Sequence, residues 1–262
     1  MELQQQNRLL SNNSHSKDMT DYNRPFVFLI LVSLMVVLML SGCKDKDETN
    51  PGFETSTVTD NDGNVYRTIK IGDQWWMAEN LKSKTFRNGD VIFKKQNNQD
   101  WQEDGPAYCL FNELDNAPGY LYNYAAVTSS KGLAPAGWRI PTDEDWKLLE
   151  KNLGMSEGQA QKSGWRGTTE GDMLKVKAPE GWIVYGQIWG TDKVGFSGLA
   201  GACRLPDGRW ADPGLQATAF WWTATTDNQD KAYYRYLDYK SSAIFRSATS
   251  VRYGMSVRCV KE

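Results

Sequence analysis

An α+β fold, with two short helices, an irregular antiparallel β-sheet and long loops, is what this sequence predicts. Two observations carry the prediction. Helical periodicity is confined to segments before residue 155, whereas from Phe196 onward the chain runs in short aromatic and β-branched stretches separated by polar links. Helices early and strands late, with no βαβ alternation and no internal repeat, belong to α+β architecture.

The first segment in order is one that a fold does not need. Phe26–Leu40 (FVFLILVSLMVVLML) is uncharged, follows Arg24 and Pro25, and runs into Leu40-Ser41-Gly42-Cys43. As a helix this run reaches about 22 Å. A bilayer core is roughly 30 Å thick and takes about 20 apolar residues to span. Small residues ahead of Cys43 read as a lipobox, where a signal peptide is cut and the new N-terminal cysteine is acylated; a short anchor that is never cut is the alternative. Residues 1–42 are therefore expected to be a lipoprotein signal peptide, the polar opening pointing to Met19 as the true start, with an unusually long leader from Met1 as the alternative.

Residues 43–57 are expected to be the lipidated cysteine and a flexible tether, because Lys44-Asp45-Lys46-Asp47-Glu48-Thr49-Asn50-Pro51-Gly52 is charged and lacks apolar periodicity. Its Cys43-Lys44-Asp45 start, with more acids behind, resembles the surface-export signal of lipoproteins in the Bacteroidetes group. The resemblance implies a lipid-anchored outer-membrane protein with its domain on the cell surface; a periplasmic-facing tether is the alternative.

Residues 58–262 form the expected domain. Thr57-Val58-Thr59 and Val65–Ile71 read as a hairpin closed through Asp60-Asn61-Asp62-Gly63-Asn64, since Asp-Gly favours the positive φ of tight turns. Asp60 and Asp62 are spaced like the first ligands of a calcium loop, but Val65 and Ile71 stand where such a loop needs glycine and glutamate. A weak helix is expected over Tyr120–Ser129. A strong one is expected over Pro141–Gly154, with Thr142 as cap, three acids in the first turn, Trp146, Leu149 and Leu153 on one face, and Gly154 as the stop. Gly-rich connections follow at 164–171 and 195–201. Strands are expected at 220–225, 232–239, 243–248 and 255–260, as an antiparallel meander.

Composition excludes several chemistries. The formal net charge is −2, and the leader carries as many acidic as basic side chains, so the mature chain keeps that balance. No basic block tracks phosphates, so no nucleic-acid partner is expected. The one histidine, His15, lies in the leader. The body therefore cannot form a Ser-His-Asp triad, a Cys-His pair or a histidine zinc site, and no cofactor or metal is expected. Chemistry by carboxylates alone stays open.

All eleven tryptophans lie after residue 43, two pairs of them adjacent: Trp75-Trp76 and Trp221-Trp222. Neighbours on a strand face opposite ways, so one indole of each pair should serve a core while the other is covered by a loop or meets solvent. Exposed indoles make flat platforms for sugar rings; the alternative is space-filling beneath long loops.

These stretches together resemble a known family. Asp62–Tyr66, Ile71-Gly72-Asp73-Gln74-Trp75-Trp76-Met77-Ala78-Glu79-Asn80-Leu81, Ala107-Tyr108-Cys109, Gly119–Val127, Pro135-Ala136-Gly137-Trp138-Arg139-Ile140-Pro141-Thr142, Gly195-Phe196-Ser197, Trp221-Trp222-Thr223 and Tyr253–Cys259 resemble, in order, the Fibrobacter succinogenes major paralogous domain family. That family looks like a branch of the C-type-lectin-like superfamily, so the resemblance implies a C-type-lectin-like fold and a ligand-binding or adhesive role. The chain lacks the Glu-Pro-Asn and Gln-Pro-Asp tripeptides by which many such lectins hold sugar through calcium, so that mode is not carried over. It also has Ala134 where the family often has cysteine. Cys109, Cys203 and Cys259 remain, open either to one disulfide or to three buried thiols.

The leading expectation is a non-enzymatic envelope lipoprotein, anchored to the membrane through Cys43, that binds a carbohydrate or an envelope protein. Trp165, Trp182, Trp189 and Trp210 are the candidate platforms, because Gly, Pro or Asp surrounds them rather than periodic runs. A polysaccharide-acting enzyme using Asp143, Glu144, Asp145, Asp207 or Asp238 is the alternative, and a structural surface subunit is a third reading.

Overall fold

The computed structural model describes residues 52–111, 118–187, 189–211, 216–228 and 230–262; the leader, Cys43 and most of the expected tether lie outside them. Residues 50–262 form one compact unit. Three sheets and five short helices are described in it. The first sheet has the order β1 (Thr55–Thr59), β2 (Val65–Ile71), β3 (Gln74–Met77), β13 (Val260–Lys261) and β7 (Trp138–Arg139). The second runs β8 (Gly164–Arg166), β11 (Ile244–Ser250), β10 (Lys231–Asp238) and β9 (Thr218–Asn228). The third runs β12 (Gly254–Met255), β6 (Leu121–Asn123), β5 (Ala107–Cys109) and β4 (Phe93–Lys94). Pairing is antiparallel except between β4 and β5, so the fold is mixed α+β as the sequence indicates.

The hairpin forms with Thr59 opposite Val65, and Gly63 takes a φ of 81° in the turn. Asp60 fixes this turn from inside. Its carboxylate accepts from the Asp62 and Asn64 amides, from the Tyr66 hydroxyl at 2.6 Å and from the Ser83 hydroxyl at 2.7 Å. Asp62 instead accepts from Lys84 and Thr85. Both carboxylates are engaged by donors and they serve different partners, which is turn chemistry. β1 begins at Thr55, inside the stretch read as tether, and the Glu54 carbonyl already accepts from the Lys70 amide.

The strong helix appears as α3 (Asp143–Asn152), with Thr142 and Asp145 forming a reciprocal capping box and Gly154 at φ 113° ending it. The weak helix is corrected. Leu121–Asn123 is strand β6, because Tyr122 pairs with Tyr108 of β5; only α2 (Tyr124–Val127) is helical, started by the Asn123 side chain accepting from the Ala126 amide. Three further short helices, α1 (Asn98–Trp101), α4 (Glu157–Ala160) and α5 (Glu170–Leu174), replace the expected total of two. β8 lies in what reads as a Gly-rich connection, and the expected strand 255–260 divides into β12 and β13.

The paired tryptophans explain the layering. Trp222 and Trp75 belong to or pack on one hydrophobic cluster, with Tyr66, Met77, Tyr122 and Trp138; Trp221 and Trp76 belong to a second, with Ile69, Trp146, Phe196 and Leu237. Both faces of β9 are therefore buried at this point, and neither Trp221 nor Trp222 meets solvent. Trp76 meets Trp146 at 5.1 Å and Phe196 at 6.1 Å, edge to face; each such pair is worth about 0.5–1.5 kcal/mol beyond its area.

Candidate functional site

The second sheet has two chemically different faces, set by the alternation of its strands. Inward lie Arg166 of β8, Arg246 of β11 and Arg235 of β10, all buried, with Arg235 directly opposite Arg246. Like charges in register repel, and α3 supplies the anions. Glu150 accepts from Arg166 at 2.5 and 2.7 Å and from Arg235 at 2.6 Å. Asp143 accepts from Arg235 at 2.8 Å and from Arg246 at 2.7 Å, and Lys147 sits 3.2 Å from it. Burial acts to raise the Asp143 carboxyl, but hydrogen bonds from Arg246 and the charge of Arg235 outweigh it and hold the group below the usual carboxylate range. Burial lowers the Arg166 guanidinium despite its bond to Glu150. This interlock sets the pose of the sheet against the helix.

Outward lies a row of aromatic rings. Trp165 of β8 is opposite Phe245 of β11, Phe245 opposite Tyr236 of β10, and Tyr236 opposite Phe220 of β9. Residues in register share a face, so one ring from each strand lines up across the sheet, about 14 Å at the usual strand spacing. Ring centroids lie 5.2 Å apart for Trp165 and Phe245, 5.9 Å for Phe245 and Tyr236, and 4.7 Å for Tyr236 and Phe220. Tyr234 adds a ring 6.2 Å from Phe245 and 6.3 Å from Phe220. Phe220 and Tyr234 pack against the first core cluster, while Trp165 at the other end is 46% exposed. The row is thus rooted in the core at one end and open at the other. The Tyr236 hydroxyl donates to Asp238; burial, then that bond, raises its pKa, so it stays a neutral phenol. Tyr236 and Phe220 stack on each other at an interplanar angle of 17°, so the exposed ring of the row is Trp165. An indole near a hydroxyl and a carboxylate can stack on the apolar face of a sugar while they hydrogen-bond its rim.

The other three candidate tryptophans fare differently. Trp189 is 45% exposed and lines a groove of about 460 Å³ with Lys177, Pro179, Val184 and Thr191. Trp182 is corrected: at 4% exposed it is inside, its indole donating to the Gly198 carbonyl at 2.7 Å with Lys175 above the ring, so no ring face is free. Trp210 is partly buried between Phe111 at 4.9 Å and the Arg204 guanidinium at 4.1 Å. Phe220, Tyr236 and Phe245 escape sequence reading because register, not composition, puts them in line. Their signal was the alternation Tyr234, Tyr236 in a strand already rich in aromatics.

The five carboxylates are not gathered into one site; only Asp143 and Glu144 meet, over the Lys147 ammonium. Asp143 serves Arg235 and Arg246, Asp145 serves Arg139 and the Thr142 cap, and Asp207 bonds Arg209 in an exposed turn. Glu144 pairs with Lys147, and Asp238 accepts from Tyr236 and the Lys240 amide. Asp143, Asp145 and Asp207 are all lowered, the opposite of what a general acid needs. Cys109, Cys203 and Cys259 are free and buried, and burial pushes the Cys109 thiol up to about 12. Among the described residues no group of three or more His, Cys, Asp or Glu is placed to hold a metal ion. No helix among them is long and apolar enough to cross a membrane. Cys43 lies outside the described residues.

Four of the motif stretches meet at Arg258. Its buried guanidinium donates to Asn80 Oδ1 at 2.8 Å, to the Phe196 carbonyl and to the Ser197 carbonyl at 3.0 Å, and lies 4.2 Å from the Phe196 ring. The Trp221 indole donates to the same Asn80 oxygen at 2.9 Å. Burial lowers Arg258 to about 9, against the opposing charges of Glu79 and Asp192. Asn80, Phe196-Ser197, Trp221 and Arg258 are therefore one structural lock. A family model described as Fibrobacter succinogenes major domain matches residues 69–261. Comparison with curated proteins and with solved structures returned no match.

Proposed function

The chain belongs to the Fibrobacter succinogenes major domain family, and we propose that it is a cell-envelope lipoprotein whose domain binds a carbohydrate without turning it over. The acyl anchor is Cys43, the membrane is the outer membrane, and the domain faces the cell exterior. The fold is of the C-type-lectin-like kind, and sugar is held without calcium. The observation that supports this reading best is the row Trp165, Phe245, Tyr236 and Phe220, a rigid aromatic platform on a sheet backed by a charge interlock. The separation of the acidic side chains into structural pairs favours binding over hydrolysis.

The test has two parts. Labelling cells with a fatty-acid probe should mark the parent chain and not Cys43→Ala, and protease should shave the domain from intact cells. A glycan and envelope-extract screen on residues 50–262 should return a polysaccharide whose binding weakens in Phe245→Ala. Label retained in Cys43→Ala rejects the anchor; turnover of the captured polysaccharide rejects the non-enzymatic reading.

A further inference from the structure

Large apolar side chains are exposed unevenly on this domain. Of the nine that the described residues expose, Ile183, Val184, Tyr185 and Trp189 (40, 51, 51 and 45%) fall within seven residues and form the largest group; Val91 and Phe93 make a pair, and Val65, Leu148 and Trp165 stand singly. The described residues from 183 to 189 are held in place rather than frayed. The Ile183 amide donates to the Gln216 carbonyl at 2.8 Å, the Ala178 amide to the Gly190 carbonyl at 3.0 Å, and the buried Trp182 indole roots the segment beneath. A Cβ on Gly190 would stand 1.8 Å from the Val176 carbonyl oxygen, so the two limbs touch backbone to backbone. A packed loop that still presents two adjacent β-branched aliphatics is built to meet something apolar. Valine and isoleucine offer nothing to sugar hydroxyls.

Around that tip are the groups of a lipid headgroup zone. Tyr185 and Trp189 are the amphipathic rings that favour membrane interfaces. Lys177 lines the groove beside Val184 and Trp189, and the Lys240 ammonium sits 5.8 Å from the Tyr185 ring and 5.0 Å from the Tyr239 ring. Both lysines are exposed, and Glu180 is the one acid between residues 177 and 191. A lysine is drawn to an anionic surface. We propose that residues 183–187 with Trp189 are a second, non-covalent membrane contact, the aliphatic pair Ile183 and Val184 dipping into the interface of an anionic bilayer.

The inference rests on the lipid-anchor reading, and the tether length supports it. Nine residues from Cys43 to Gly52 reach at most about 30 Å. A domain of this size has a radius of gyration of about 17 Å, hence about 40 Å across. A tether of that reach keeps the domain within about 30 Å of the headgroups, close enough for one face to rest on them. At the resulting effective concentration a weak apolar loop suffices.

Residues 50–262, which hold all three core clusters, are sedimented with vesicles of phosphatidylethanolamine and phosphatidylglycerol in equal parts. Binding is expected, with Val184→Asp lowering the partition coefficient about tenfold, or about 1.4 kcal/mol. An environment-sensitive dye on Gln187→Cys should shift to the blue with vesicles; the three native thiols are buried and stay unlabelled. No partition by the parent unit, or equal partition of Val184→Asp, overturns the proposal. So does a glycan or envelope protein that shields the dye where vesicles do not. Loop-independent retention of the acylated chain rejects the loop and keeps the anchor. Vesicle binding by the soluble unit, when cells show no acylation of Cys43, supports the loop and rejects the anchor.

Discussion

Glu150→Gln is the sharpest perturbation of the sheet's inner face. The carboxylate is fully buried and accepts three hydrogen bonds from two guanidiniums. Glutamine keeps the shape and one acceptor oxygen but removes the charge, leaving Arg166 without an anion and Arg235 with Asp143 alone. Breaking a buried pair from one side costs about 3–5 kcal/mol, because the remaining charge stays desolvated. For a domain of this size each kcal/mol moves the melting temperature by about 2–4 °C, so a fall of about 6–20 °C is expected. The assay is urea and thermal unfolding of residues 50–262 by tryptophan fluorescence. Leu148→Ala, exposed on the same helix, serves as reference and should stay within about 0.5 kcal/mol. A Glu150→Gln loss below about 1 kcal/mol would refute the interlock as the device that seats the sheet on α3.

Three further outcomes follow from the same geometry. Asp143 is lowered in the fold, so its contribution is present above the unfolded value and lost as pH falls through the folded one; urea midpoints should hold from neutrality to about pH 4, then fall, and Asp143→Asn should flatten that acid limb. Ellman's reagent should find no reactive thiol in the folded domain and three on unfolding; a single thiol on unfolding would reveal a disulfide instead. Gly190→Ala drives a methyl into the Val176 carbonyl, so limited proteolysis should cut between residues 176 and 195 faster than in the parent, and an unchanged cleavage rate would contradict the backbone contact.

What the sequence disclosed tracks how local the determinants are. Thr142, Asp145 and Gly154 mark both ends of α3 within a few residues, and Asp60 to Asn64 encode their own turn, so both were legible. Tyr120–Ser129 misled because its apolar spacing suits a helix, while Tyr122 is claimed by a strand far away in the chain, β12, as well as by β5. Trp182 misled because Gly181 and the neighbouring loop look exposed, whereas its indole reaches a carbonyl in a loop that follows. The aromatic row was half visible. Its residues were legible as strand formers, but alignment across β8, β11, β10 and β9 depends on pairings that join residue 165 to residue 245, which no local pattern records.

Isothermal titration of residues 50–262 with the polysaccharide found by the envelope screen, comparing the parent with Trp165→Ala, bears most directly on the binding platform. Trp165 is the open end of the row, and an anchor of that kind carries about 2 kcal/mol. The account predicts binding weakened about thirtyfold, with the unfolding midpoint moved by no more than the loss of two ring contacts. Unchanged affinity in Trp165→Ala, in a domain that remains folded and still binds, would contradict it.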